Sequence, residues 1–407
     1  MKIKIGVIFG GKSVEHEISI ITANQAMSNI DKEKYEIVPI YISKKGLMYT
    51  GIDLLELKNF RDLDGLLEKI TQISLINDGK NINLIRYPSK VLGNNIINTI
   101  DIAFPIMHGT NGEDGSIAGF LEILGVPYVG PDILASAVGM DKITARRVIK
   151  QAGIPSLDFV AFYSQEYHKD NEKYIKEVED KLTFPVIVKA GNLGSSVGIK
   201  KAKDKISLKE AIEYAMQFSD KVMIENAITN LKEVNCSVMG EPSNCIPSEC
   251  EEPLGSDEIL SYQDKYISGG KTSGSKTAGT KLVEQNNSAK QGMASLNRKL
   301  PADITKEMKE KIQSLACETF RVLGCRGVSR IDFLIDNDTN EIYVNEINTI
   351  PGALSFYLWE ATGIKFEEEI NKMVDLAFKR ERDRKGLTFS YDQNILALSG
   401  GAKGSKN

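Results

Sequence analysis

The stretch Arg330–Gly352, RIDFLIDNDTNEIYVNEINTIPG, reads as two strands around a polar turn. Strand side chains alternate faces with a period of two. On the first strand Ile331, Phe333 and Ile335 share one face, and Arg330, Asp332 and Leu334 the other. On the return strand Tyr343, Asn345 and Ile347 share one face, and Val344, Glu346 and Asn348 the other. The turn DNDTN holds residues that favour tight loops, and a five-residue loop would set Asp332 opposite Glu346. Cross-strand neighbours lie about 5 Å apart, and two like charges that close repel unless a cation neutralises them. Mg²⁺ suits such a pair, because it takes carboxylate and amide oxygens and often leaves its other positions to nucleotide phosphates. The competing reading is a solvated strand face with a salt bridge to Arg330.

The rest of the chain sets this hairpin in a large α/β protein. Its 407 residues suffice for two or three domains or one multi-lobed enzyme, and 42% apolar with 26% charged residues is ordinary globular usage. A net charge of −4 sets up no basic field for nucleic acid or anionic membrane. No apolar run approaches the roughly 18 residues of a membrane span. The start MKIKIGVIFGG reads as a first strand rather than a signal peptide. Five cysteines without a Cys-x-x-Cys fit a reducing cytoplasm, and three histidines argue against a His-rich zinc site. KIKIGVIFG, ISIITANQAMSNI and YEIVPIYIS run strand, helix, strand; IDIAFPIMHG and EDGSIAGFLEILG repeat the rhythm. That alternation predicts an open parallel sheet. The expected divisions are an N-terminal α/β domain over 1–130, a central lobe over 131–245 and a C-terminal lobe over 246–385. A Gly/Ser/Thr/Lys-rich stretch at 267–300 is expected to be a long flexible loop, and the tail 386–407 to be disordered.

Several shorter motifs carry candidate chemistry. GVIFGGKS, Gly6–Ser13, matches the phosphate-loop pattern, but Val7, Ile8 and Phe9 sit inside the strand. Only Gly10 and Gly11 remain to turn the chain, too short a loop to wrap a triphosphate, so the match is read as coincidence. Backbone N–H groups opening the next helix suit an anion. Glu15 there could meet an ammonium group or simply favour the helix N-terminus. GNLGSSVG, Gly191–Gly198, follows the strand FPVIVKA and reads as a phosphate-binding or lid loop, or as a plain turn. Lys189, at the end of that strand, could meet phosphate oxygens, whereas Lys142, alone on a helix, reads as solvated. In HGTNGEDG, His108, Glu113 and Asp114 could line a site beyond a strand end, or form turns and a helix cap. YQDKY, Tyr262–Tyr266, could anchor a lid or end a strand.

In this order, GGKSVEHEISIITA, HGTNGEDGSIAGFLEILGVPYVG, DKITARRVIKQAGIP, FPVIVKAGNLGSSVGI, GVSRIDFL and NEINTIPG resemble the D-alanine–D-alanine ligase family of ATP-grasp enzymes over residues 3–375. The resemblance implies a three-lobed α/β ATP-grasp fold with ATP gripped between the central and C-terminal lobes. It implies phosphorylation of one D-alanine carboxylate, then attack by the amine of a second D-alanine. By the same resemblance Lys142 and Lys189 contact ATP phosphates, Glu225 and Ile228 meet adenine, Glu233 meets ribose, and Lys265 belongs to the nucleotide site. Asp332, Glu346 and Asn348 hold two Mg²⁺ (or Mn²⁺) ions, while Arg330 and the Gly352 N–H stabilise an oxyanion. Glu15 binds the first amino group, supported by Ser195 and Tyr266, with His108 close by. A cytoplasmic homodimer supplying peptidoglycan precursors is implied as well.

Three departures from the family pattern stand out. The Ser expected five residues beyond the Gly of Pro-Gly, where it helps hold the second substrate's carboxylate, is Tyr357 here, with Ser355 the nearest hydroxyl. The segment from Tyr266 to Pro301 is longer than usual, and TNLKE adds one residue before Glu233. The first two motivate an alternative in which the chemistry is kept and the second substrate is another amino acid or a hydroxy acid.

Overall fold

Among the described residues the Ile- and Val-rich runs assemble into three sheets. The computed structural model describes residues 2–194, 198–254 and 298–390. Ser195, Lys265, Tyr266, the expected loop up to residue 297 and the expected disordered tail from 391 lie outside the described residues.

The first sheet holds β1 (Ile3–Gly10), β2 (Tyr35–Ile42), β3 (Met48–Thr50), β4 (Thr71–Asn77), β5 (Ile82–Arg86), β6 (Ile96–Ile100) and β7 (Ile102–Ile106), in the order β6-β5-β4-β3-β2-β1-β7. Only β1–β2 and β1–β7 are parallel, and the remaining pairs are antiparallel. The expected open parallel sheet is therefore a mixed one. Parallel pairing needs a crossover of roughly a dozen residues. The connections 43–47, 78–81 and 87–95 are too short for that, so this part of the chain meanders.

The second sheet is antiparallel: β8 (Phe159–Tyr163), β9 (Val186–Ala190), β10 (Ile199–Ala202) and β11 (Lys221–Asn226), ordered β10-β9-β11-β8. The third holds β12 (Leu231–Glu241), β13 (Asn244–Pro253), β14 (Arg298–Lys299), β15 (Gly327–Asp336) and β16 (Glu341–Asn348), ordered β14-β13-β12-β15-β16. β12, which the sequence reading put in the central lobe, is an inner strand of this third sheet, and the division after residue 245 cuts through β13. Arg298 and Lys299, expected inside the flexible loop, pair with β13 as an edge strand.

The stretch DILASAVGMDKITARRVIKQAG, helical throughout by period, is two helices, Ile133–Met140 and Lys142–Gln151. Asp141 breaks them with an extended ψ of 99° and caps the second, accepting a 2.8 Å hydrogen bond from Thr144 N. Lys142 thereby becomes the first residue of a helix.

Two packing arrangements fix the lobes. Helix Phe366–Lys385 buries Ile370, Met373, Val374 and Ala377 in one cluster with Ile5, Val7 and Phe9 of the first sheet and with Met239 and Val328 of the third. Each of the larger side chains, Ile370, Met373 and Val374, contributes about 1.5–3 kcal/mol, so the C-terminal helix ties the two sheets together. Helix Lys142–Gln151 puts Ala145 and Ile149 into the core of the third sheet. All five cysteines are free. Among the described residues no helix is long and apolar enough to cross a membrane.

Beyond Pro351 the chain makes a tight turn in which Ala353, Leu354 and Ser355 all adopt positive φ, at 51°, 53° and 57°. Left-handed backbone costs an L-residue about 1–2 kcal/mol. Ser355 adds a fully buried hydroxyl without a hydrogen-bond partner, which costs about 1–3 kcal/mol. Replacing it by Gly removes both terms, against a loss of roughly 0.5–1 kcal/mol in backbone entropy. Ser355→Gly is therefore expected to stabilise the fold by about 1–4 kcal/mol, read as a raised urea midpoint at unchanged m-value.

Candidate active site

The hairpin of β15 and β16 pairs Asp332 directly with Glu346 and Arg330 with Asn348, as the alternation predicted. It gets there by a different route. The turn spans four residues, 337–340, and a bulge at Asn345 supplies the extra residue. The bulge also corrects the faces expected for β16. Val344 and Ile347 both enter the core with Ile331, Phe333 and Ile335, while Asn345 and Glu346 both stay off it.

Arg330 clamps Asp332 bidentately, donating from Nε to Oδ1 at 2.7 Å and from Nη2 to Oδ2 at 2.8 Å. Asn348 Nδ2 donates to Asp332 Oδ2 at 3.0 Å. Lys142 Nζ meets Glu346 Oε2 at 2.7 Å. Burial works against the Lys142 charge, but Glu346 outweighs it, helped by Glu113 and Glu15, and the pKa rises above the usual lysine value. Arg330 follows the same logic: burial opposes the charge and Asp332 over-compensates. The lone helix lysine read as solvated is thus a half-buried cation on a candidate metal ligand.

These side chains fit a hard divalent cation. The donor atoms are two carboxylates and an amide, all oxygen ligands. Cations already sit against both carboxylates, as expected where positive charge is attracted. Asp332 keeps lone pairs beyond those used by Arg330, since a carboxylate has about four acceptor positions. No cluster of three or more His, Cys, Asp or Glu able to hold a metal occurs among the described residues, so any ion here needs further ligands from water or substrate phosphate.

A second charge network supports Lys189. Glu225 of β11 pairs with Lys189 and, at 3.1 Å, with Arg146 Nη1. Lys189 Nζ donates to Asn345 Oδ1 at 3.1 Å, and Arg146 Nη2 to the Asn345 carbonyl at 3.0 Å. Burial raises the Glu225 pKa, but Lys189 and Arg146 outweigh it and hold it below the ordinary carboxylate value. The Glu225 carboxylate, expected at adenine, is therefore turned to these cations and buried. Asn345 was missed by the sequence reading because only the bulge exposes it to Lys189. Ile228 lies in the connection between β11 and β12, and Glu233 is exposed on the β12 face that carries Asn235.

The first lobe closes the site. Glu15 is buried at the start of helix His16–Asn29. Gly109, at φ 71°, lies so near that a Cβ there would fall 2.6 Å from Glu15 Oε2, and one at Gly194 would fall 3.2 Å away. The carboxylate thus touches both the first-lobe loop and the Gly-rich loop of the second. His108 is buried, with Nδ1 2.9 Å from the Ile350 carbonyl and Nε2 3.0 Å from Thr22 Oγ1. A carbonyl can only accept, so Nδ1 carries the proton and Nε2 accepts from the Thr22 hydroxyl. Thr22 Oγ1 in turn accepts from Ala353 N at 3.2 Å. His108 consequently holds the turn that carries Gly352. His16 plays a similar part that the sequence did not signal, donating from Nδ1 to the Gly11 carbonyl at 2.6 Å. β1 runs through Gly10, so the phosphate-loop match is a strand and a two-glycine turn.

Tyr357 is buried and its hydroxyl donates to Glu251 Oε1 at 2.9 Å. Ser355 Oγ is enclosed in the strained turn.

The chain is similar to known proteins over nearly its whole length. Residues 4–131 match the family described as D-ala D-ala ligase N-terminus, and residues 148–297 and 286–375 match D-ala D-ala ligase C-terminus. The D-alanine–D-alanine ligase of Thermosipho melanesiensis is 40% identical over 399 residues, covering 98% of this chain and 99% of that protein. Among solved structures, the D-alanine-D-alanine ligase from Coxiella burnetii superposes with a TM-score of 0.75 at 26% identity, over 95% of this chain and 96% of that one. The VanG D-Ala:D-Ser ligase from Enterococcus faecalis gives 0.73 at 30% identity, over 93% and 100%.

Removing the charge of Glu225 leaves Lys189 and Arg146 buried without a counter-ion. Glu225→Gln is expected to cost about 3–5 kcal/mol near neutral pH. Because the folded pKa lies below the usual value of 4.5, that contribution is present above 4.5 and fades as pH falls through the folded pKa. Urea titrations of both proteins should therefore show the gap narrowing below that value.

Proposed function

Because the chain belongs to the D-alanine–D-alanine ligase family, we propose that it joins two D-alanine molecules into D-alanyl-D-alanine, with conversion of ATP to ADP and phosphate. The product serves peptidoglycan precursor synthesis in the cytoplasm, with a homodimer as the working assembly.

In the first step a carboxylate oxygen of one D-alanine attacks the γ-phosphorus and ADP leaves. The amine of the second D-alanine then attacks the acyl carbon, loses a proton, and the tetrahedral intermediate expels inorganic phosphate. Lys142 and Lys189 exchange their partners Glu346 and Glu225 in part for phosphate oxygens. Asp332, Glu346 and Asn348 would hold Mg²⁺, which when bound screens the charge on the transferring phosphoryl group. Arg330 and the Gly352 N–H face the oxygen on which negative charge develops, where fixed donors act most strongly. Glu15 takes the ammonium group of the first D-alanine.

The observation that carries this reading is the convergence of three lobes on one point. Glu346 of the third sheet pairs with Lys142, and Glu113 and Glu15 of the first lobe act on that same ammonium. A second reading, with D-serine or another acceptor in place of the second D-alanine, draws on Tyr357. The Enterococcus faecalis relative shows that acceptor choice varies on this fold.

The test is phosphate release with ATP, Mg²⁺ and D-alanine, with the product identified by mass. D-alanyl-D-alanine is expected, and turnover only when another acceptor is added would move the assignment to the second reading. Asp332→Asn and Glu346→Gln each remove one negative ligand and should lower kcat by about 10²-fold or more. Near-normal rates in either would sink the metal assignment.

A further inference from the structure

Asn345 has no task in the reaction as described, although the geometry of the site runs through it. It is the residue that the β15–β16 ladder skips between Val344 and Glu346. The backbone around it is held from outside the hairpin. Arg146 Nη2 donates to the Asn345 carbonyl at 3.0 Å, and Val344 N donates to the Pro155 carbonyl at 2.9 Å. Arg146 is itself fixed, since its Nη1 donates to the Leu157 carbonyl at 3.1 Å. The Asn345 side chain is thereby delivered in one direction, where Oδ1 accepts from Lys189 Nζ at 3.1 Å. An ammonium only donates, so the amide must present its oxygen there.

Lys189 ends β9 with its side chain 9% exposed, and its two acceptors differ in kind. Glu225 is a carboxylate and neutralises the ammonium. Asn345 is a neutral amide, which fixes the direction of an N–H and leaves the charge unspent. That difference decides which partner suits an arriving anion. A phosphate oxygen and the Glu225 carboxylate compete for the same positive charge and repel each other. Glu225 keeps a second cation, Arg146 Nη1, at 3.1 Å. The amide carries no charge to oppose the phosphate. Lysine has a flexible four-carbon stem, and an acceptor that already holds it reduces the ordering that binding would otherwise require.

We propose that Asn345 is a positioning residue for phosphate binding: its amide oxygen keeps the Lys189 ammonium aimed at the nucleotide phosphates, and Glu225 is the counter-ion that phosphate displaces. The proposal rests on the ligase reading, which puts Lys189 on ATP, and adds a residue to it. It also gives the bulge a task. Asn345 and Glu346 both stay off the core, so consecutive residues serve the phosphate lysine and the candidate metal site.

The test is calorimetric binding of ATP and of adenosine, which differ in the phosphates, to the full-length protein in Mg²⁺. The wild type is expected to prefer ATP, and Lys189→Met to lose much of that preference. Asn345→Leu keeps the bulk and removes the acceptor. It should weaken ATP by about threefold to tenfold and leave adenosine unchanged. Because Asn345 acts through the lysine, adding Asn345→Leu to Lys189→Met should cost ATP less than about twofold more. Asn345→Asp keeps the shape and sets a carboxylate against the phosphate, so it should weaken ATP further than Asn345→Leu does. Unchanged ATP binding in Asn345→Leu or Asn345→Asp overturns the assignment. Equal loss with ATP and adenosine overturns it too, as does a full further loss in the double variant, since either marks a merely structural residue. Should Asn345→Leu fail to fold, Asn345→Asp decides: loss confined to ATP supports the assignment, and absent or equal loss overturns it. A wild type indifferent to the phosphates, or a Lys189→Met protein with the full preference for ATP, tells against the ligase reading of Lys189, and the proposal falls with it.

Discussion

Two carboxylates forced face to face are the constraint from which this site is organised. Asp332 and Glu346 occupy directly opposed positions on β15 and β16. At about 5 Å and an effective dielectric constant of about 20, their repulsion is about 3 kcal/mol. β15 supplies one remedy itself, since Arg330 lies two residues from Asp332 and on the same face. The other comes from far along the chain. Lys142 reaches Glu346 because Asp141 ends one helix and caps the next, and because the Lys142 N–H is held by the Gly191 carbonyl at 2.8 Å. Neutralising Glu346 thus fixes where the second sheet stands relative to the third.

The middle lobe repeats the same physics in a drier setting. Glu225, Lys189 and Arg146 are all buried, and an unpaired charge there would be far more costly than at the surface. Both cations also bond to Asn345, one to its side chain and one to its carbonyl. The bulge that puts Glu346 opposite Asp332 is therefore the point at which the second network grips the third sheet. A regular β16 would supply neither contact, so one irregular residue couples the two lysines of the site.

What could be read from the sequence followed the range of each interaction. Opposition of Asp332 and Glu346 is a local consequence of strand alternation, and it was legible. The bulge that achieves it was not, because an irregular ladder leaves no periodic trace. The parallel strands β1, β2 and β7 were legible from their apolar runs. The short strands β3 to β6 lie among turn residues and polar positions that carry no clear period, so a parallel sheet was expected where the chain meanders. Long-range pairs were invisible. Nothing near Thr22 announces that it will accept from Ala353, 331 residues away. Nothing in the Gly-rich segment before residue 298 announces that Arg298 will reach Glu251. Such partners are set by where whole elements pack, and residue order alone does not encode that locally.

The strained turn after Pro351 shows that the first lobe holds backbone that belongs to the third. Three successive left-handed residues persist only where their surroundings over-determine them. Here Leu354 is buried with Trp359 and Phe366 in the cluster that also contains Val7 and Phe9 of β1. His108 and Thr22, both from the first lobe, hold the Ile350 carbonyl and the Ala353 N–H on either side of Gly352. A backbone donor useful to a developing oxyanion has to be fixed before charge appears, since its value lies in not having to reorganise. The turn's own residues disfavour the conformation that fixes it, so the required rigidity is imported from β1, from helix His16–Asn29 and from the loop after β7. The proposed oxyanion donor, the Gly352 N–H, is in this sense held by two lobes, and separating them would be expected to relax the turn and disperse the donor with it.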